Sequence, residues 1–81
     1  MQAYILVQTE TREPIAPALL AIDGIDVAVD LTGPYDALAK VDGTGRPVAT
    51  IEEEVRALPN VLRAIVAPVE GIHSSASVAA A

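Results

Sequence analysis

Thr32-Gly33-Pro34-Tyr35-Asp36 is the stretch of this chain whose residue types come nearest to a site, and the chemistry it offers is binding, not catalysis. Asp36 can accept a hydrogen bond from a ligand ammonium, and backbone N–H groups beside it can meet a carboxylate. Gly33 lets the backbone approach a ligand closely or take torsions that other residues avoid. Pro34 fixes its own φ near about −65° and pushes Gly33 toward an extended conformation. Tyr35 adds an apolar ring with a polar tip, suited to a pocket wall or a subunit contact. Gly, Pro and Asp are also ordinary turn formers, so on local sequence alone a plain turn accounts for them as well as a site does.

The other chemistry-bearing residues are dispersed. Asp26 and Asp30 fall on one face of an alternating strand, where a solvated surface explains two carboxylates better than acid–base or metal work. Glu52-Glu53-Glu54 follow Pro47 early in a helix, where the helix dipole favours negative charge, and three successive helical positions cannot converge on one ion. His73 is the single histidine; it shares a small-residue-rich C-terminal stretch with Ser74, Ser75 and Ser77 and has no neighbour that would tune an imidazole for catalysis. Gly43-Thr44-Gly45 lacks the Lys-Ser/Thr of a phosphate loop. The expectation is a chain with no catalytic residues, no metal and no cofactor.

These residues must be held by elements whose periodicity is plain. Ala3 to Thr9 is nearly continuously apolar, as for a strand buried on both faces. Pro14 suits the first turn of a helix, and Ile15, Ala18, Leu19 and Ile22 recur at helical spacing up to Asp23-Gly24. From Ile25 to Thr32 the pattern alternates strictly: Ile25, Val27, Val29 and Leu31 are assigned to a core face, and Asp26, Ala28, Asp30 and Thr32 to a wet one. Gly33-Pro34-Tyr35-Asp36 interrupts that pattern, and Ala37 to Val41 resumes it as an antiparallel neighbour. Because Pro34 cannot supply the positive φ of a primed two-residue turn, the connection is expected to be wider than the tightest hairpin. Arg46-Pro47 opens a second helix with a stripe of Val48, Ile51, Val55 and Leu58, which Pro59-Asn60 stops. Val61 to Val69 is a last strand, apolar on most positions of both faces.

The order β-α-β-β-α-β specifies an α+β, ferredoxin-like βαββαβ fold, with two helices on one face of a four-stranded antiparallel sheet. Residues 1–70 form this single domain, and residues 71–81 are expected to be a mobile tail. A domain of 81 residues buries only about 60% of the surface its unfolded chain exposes, yet 52% of its residues are hydrophobic. The surplus requires a cover for the second sheet face, and a second subunit's sheet is the economical one. No apolar run reaches the roughly 20 residues of a membrane span. A net charge of −6 with five scattered basic residues excludes the clustered cations that nucleic-acid binding needs. The amino terminus carries no basic, then apolar, secretory pattern, and a cytoplasmic location is expected.

The alternating strand, Thr32-Gly33-Pro34-Tyr35-Asp36 at its turn, the following Ala37–Val41 strand and Leu58-Pro59-Asn60-Val61 before the last strand together resemble the effector-binding domain of the Lrp/AsnC regulators, over roughly residues 2–70. The resemblance is to the stand-alone, RAM-type form without the helix-turn-helix. It implies a dimeric α+β barrel made by two sheets packed face to face, with dimers joining into a larger oligomer. It also implies a small effector, typically an amino acid, held near Thr32, Gly33, Pro34, Tyr35 and Asp36, and a regulatory role alone or mixed with full-length Lrp/AsnC regulators. Two positions depart from the family pattern: Pro34 removes a backbone donor, and Arg63-Ala64-Ile65-Val66-Ala67 carries no hydroxyl facing an effector. A purely structural oligomeriser, or an enzyme of the dimeric α+β-barrel type, are the alternative readings.

Overall fold

The computed structural model describes residues 2–11, 13–42 and 45–69. Six elements follow in the expected order: β1 (Ala3–Thr9), α1 (Ala16–Leu20), β2 (Ile25–Asp30), β3 (Ala37–Val41), α2 (Val48–Arg56) and β4 (Val61–Pro68). The strands form one antiparallel sheet in the order β2-β3-β1-β4, the split βαβ arrangement in which the first and last strands are neighbours. The segment expected to be a mobile tail, with His73 and its serines, lies outside the described residues.

The core sits between one sheet face and the two helices. Ile5 and Val7 of β1, Ala39 and Val41 of β3, Leu19 of α1, and Ile51 and Val55 of α2 are fully buried in a single cluster. The stripe read for α2 holds, with Ile51 and Val55 buried and Val48 and Leu58 packed against the cluster. Pro59 then follows the helix, and Ala57 N–H closes its last turn on Glu53 O at 3.0 Å. α1 is shorter than the apolar spacing suggested: it starts at Ala16 and ends at Leu20, although Ile22 still packs on the core. Gly24, at φ 104°, turns the chain into β2; a Cβ there would lie 2.5 Å from Ile51 Cδ1.

β2 departs from its sequence reading. Ile25 pairs with Val41, but Val27 pairs with Lys40 and Ala28 with Ala39, so Asp26 is an extra residue, a β-bulge. One inserted residue exchanges the faces for the rest of the strand. Ala28 and Asp30 therefore turn toward the helices, and Val27, Val29 and Leu31 turn to the open face, where they are 46%, 41% and 41% exposed. The physical gain is at α1. Ile15, which precedes that helix, makes no side-chain cap bond. Asp30 reaches across and its Oδ1 accepts from Ile15 N–H at 2.9 Å and Ala16 N–H at 3.1 Å. Pro17 has no N–H to satisfy, so a carboxylate from the neighbouring strand and a proline together settle the start of the helix.

The exchange makes the open face more apolar than alternation implied. Val29, Leu38, Leu6 and Ile65 stand in register as one row across all four strands, and Val27, Lys40, Tyr4 and Ala67 form the next.

Candidate functional site

The β2–β3 connection is wider than a tight hairpin, as expected, and β1 braces it. Leu31 N–H donates to Asp36 O at 2.8 Å, and Asp36 N–H donates to Val7 O at 2.9 Å, which fixes both ends of the loop to the sheet. Asp36 Oδ2 accepts from Thr9 N–H at 2.8 Å, where the β1–β4 register slips between Gln8 and Thr9. Gln8 Nε2 donates to Pro34 O at 2.9 Å. Sequence reasoning missed Gln8: an amide at the end of an apolar strand carries no local signal of a partner 26 positions away.

Gly33 has φ 126°, in the region only glycine adopts freely, so Pro34 does not hold it at the negative φ expected of a residue before proline. A Cβ at Gly33 would meet nothing within 4 Å, so conformation and not crowding requires the glycine. The N–H groups of Thr32, Gly33 and Tyr35 have no partner among the described residues, whereas Pro34 contributes none.

Beside the loop lies a cleft of about 270 Å³ lined by Glu13, Pro14, Asp30, Leu31, Thr32, Gly33 and Asp36. Thus Thr32, Gly33 and Asp36 meet at one cavity, while Pro34 and Tyr35 stand outside its lining. Asp30, which alternation placed on a solvated face, joins them from β2, and Glu13, which no sequence pattern singled out, joins from the approach to α1. The cleft carries three carboxylates; one oxygen each of Asp30 and Asp36 is committed to backbone N–H groups, and the other has no partner among the described residues. Among the described residues no cluster of His, Cys, Asp or Glu is arranged to hold a metal ion. Asp26, extruded at the bulge, and Asp30, turned to the helices, do not form the carboxylate pair that alternation placed on one face. Glu52 pairs with Arg56 at 2.7 Å and Glu54 pairs with Arg46, so the helix acids serve local ion pairs.

No family model and no curated protein matches the chain. Solved structures do. FFRP-DM1, an Lrp/AsnC-family effector domain, superposes with a TM-score of 0.61 at 27% identity over 83% of this chain and 97% of its own. The hypothetical protein PHS023 from Pyrococcus horikoshii superposes with a TM-score of 0.61 at 26% identity, over 85% of this chain and 90% of its own. No helix among the described residues is long and apolar enough to cross a membrane. In sequence and in three dimensions, this chain resembles the effector-binding, RAM-type domain of the Lrp/AsnC regulators.

Proposed function

We infer that the protein is a small-molecule sensing and assembly module of the regulatory kind, with no chemistry of its own. Two copies pack their open sheet faces together through the row Val29, Leu38, Leu6 and Ile65, and dimers join further near the Thr32–Asp36 loops. The ligand is a small amine-bearing metabolite, an amino acid in the first instance. Its ammonium binds the second oxygen of Asp36 with Glu13 and Asp30 close by, and its carboxylate meets the N–H groups of Thr32 or Gly33. The observation that carries this reading is the meeting of unpartnered loop donors and an anchored carboxylate at one cleft. The module acts in the cytoplasm, alone or mixed with full-length regulators of the family.

Calorimetric titration of the amino acids tests it. Heat from a subset of them at or below millimolar concentration is expected, and its absence throughout would overturn the sensing role. Asp36→Asn is the informative variant, because the amide oxygen can still accept from Thr9 N–H while the charge offered to an ammonium is gone. Ligand heat should fall with oligomer size unchanged. The second reading, a structural oligomeriser without ligand, is favoured by Arg63, Ile65 and Ala67, which give β4 no hydroxyl on the open face. In that case Asp36→Asn changes nothing.

A further inference from the structure

Three successive residues at the end of β1 hold the Thr32–Asp36 loop. Val7 O accepts from Asp36 N–H at 2.9 Å and Thr9 N–H donates to Asp36 Oδ2 at 2.8 Å, so the loop's end is fixed twice to the sheet. Gln8, between them, reaches the loop's tip, where its Nε2 donates to Pro34 O at 2.9 Å. No other hydrogen bond reaches Thr32, Gly33, Pro34 or Tyr35 among the described residues. The Pro34–Tyr35 peptide is planar, so holding its carbonyl toward β1 also sets the direction of Tyr35 N–H. One side chain therefore fixes the tip.

Gln8 also belongs to the open sheet face. Side chains along β1 alternate between the two faces, and Tyr4 and Leu6 stand on the open one, so Gln8 stands there with them. It pairs across the sheet with Arg63, beyond the pair of Leu6 and Ile65. In a single chain its bond to Pro34 O lies in solvent. Water then competes for both the amide and the carbonyl, and the bond holds the tip weakly. A second copy laid on the open face removes that water. The same bond strengthens in drier surroundings, and breaking it there leaves a donor and an acceptor unmet. The bond from Thr9 N–H to Asp36 is already partly buried in the single chain, so Gln8 is the brace that a second copy changes most.

We propose that Gln8 is a positioning residue that couples assembly to the effector loop: packing of two open faces locks its bond to Pro34 O and, through it, the tip of the loop. The coupling rests on the face-to-face assembly and the loop site inferred above. A loose loop must be ordered when an effector binds at Thr32 and Gly33, whereas a locked loop has already lost that freedom. Affinity is therefore higher in the assembled form. By reciprocity, an effector that orders the tip tightens the assembly.

The test needs no effector. The full chain is compared with Leu38→Lys, whose added charge in the central row should keep it monomeric, and with Gln8→Met, which is of similar length but has no donor. Light scattering reads the assembly of each, and amide nitrogen relaxation reads the motion of Gly33 and Tyr35. In the assembled parent the order parameters there should be near about 0.85, the rigid range, and in Leu38→Lys below about 0.6. Gln8→Met should assemble at least as well as the parent, since it makes the covered face more apolar, yet keep the mobile tip of the monomer. A Gln8 that only supported the fold would move assembly and loop together. An assembled parent with a mobile tip, a Leu38→Lys monomer with a rigid one, a rigid tip in assembled Gln8→Met, or failure of Gln8→Met to assemble would each overturn the coupling and leave the parent's assembly standing. A parent of 8.4 kDa, or a Leu38→Lys variant that still assembles, would remove the face-to-face packing and the coupling with it.

Discussion

Replacing Asp30 by Ala tests the face exchange in β2 most directly, because the two arrangements of that strand demand opposite outcomes. On a solvated face the substitution is a surface change and stays within about 0.5 kcal/mol of the parent. In the structure Asp30 Oδ1 holds the N–H groups of Ile15 and Ala16 at 2.9 and 3.1 Å, the only side-chain cap of α1 among the described residues. Loss of an N-terminal cap costs about 0.5–2 kcal/mol. Two bonds to one carboxylate argue for the upper half of that range, and the partial exposure of Asp30 argues against exceeding it. The expected loss is about 1.5 kcal/mol, which lowers Tm by roughly 6–12 °C in a domain of this size. Parent and variant must be melted at one protomer concentration, because association raises the apparent stability. Asp30→Asn keeps an acceptor oxygen and should lose about half as much. Hydrogen exchange at Ile15 and Ala16 should accelerate in the Ala variant before the rest of the sheet. A Tm for Asp30→Ala within 2 °C of the parent, roughly the scatter of a neutral surface change, would refute the capping role and with it the inverted strand.

Four further outcomes follow from the packing. Gly24→Ala puts a Cβ 2.5 Å from Ile51 Cδ1 at a φ of 104°, and denaturant titration should show a loss of about 2 kcal/mol or more, since left-handed torsion alone costs about 1–2 kcal/mol per residue. Leu38→Lys places a second charge beside Lys40 in the middle of the open face; light scattering at micromolar concentration should report 8.4 kDa particles with the secondary structure intact. Glu54→Gln removes a pair whose carboxylate side is 46% exposed and should cost no more than about 0.5 kcal/mol. Arg46→Ala should cost more than Glu54→Gln, because it also gives up the bond from Arg46 Nη1 to Asp23 O at 2.8 Å.

The order and type of every element were legible because each rests on local periodicity: Ala3–Thr9 and Ala37–Val41 agree residue for residue with the structure. Alternation fails in β2 because the period-2 pattern of Ile25 to Leu31 holds only while no residue is inserted, and a bulge leaves no mark in composition. The core reading erred in sign for the same reason. Val27 and Val29 are apolar because a face needs covering, yet that face is the open one, while Asp30 sits toward the helices because α1 has no cap of its own. At the site, Asp36 was legible as a polar group at a turn. Its anchoring by Thr9 N–H and the contribution of Glu13 were not, since each joins segments that only the folded sheet brings together.

Deletion of Asp26 separates a bulge from a continuous alternation more sharply than any substitution. In the observed register Ile25 pairs with Val41 and Val27 with Lys40, so removing the residue between them leaves both pairs and every downstream face unchanged. The ladder becomes regular, Asp30 still reaches Ile15 and Ala16, and the deletion should cost little, within about 1–2 kcal/mol of the parent, the ordinary range for a single change. Were Ile25, Val27, Val29 and Leu31 one core face, the same deletion would move Val27, Val29 and Leu31 out of the core and Ala28 and Asp30 into it. A shift of one residue flips every side chain that follows, and a domain with a few kcal/mol of stability does not survive that. A folded deletion variant, with Asp30→Ala still destabilising in that background, supports the bulge; a variant that cannot fold rules it out. The outcome also bears on assembly, because the bulge is what presents Val27, Val29 and Leu31 on the open face, and the deletion variant should self-associate as the parent does.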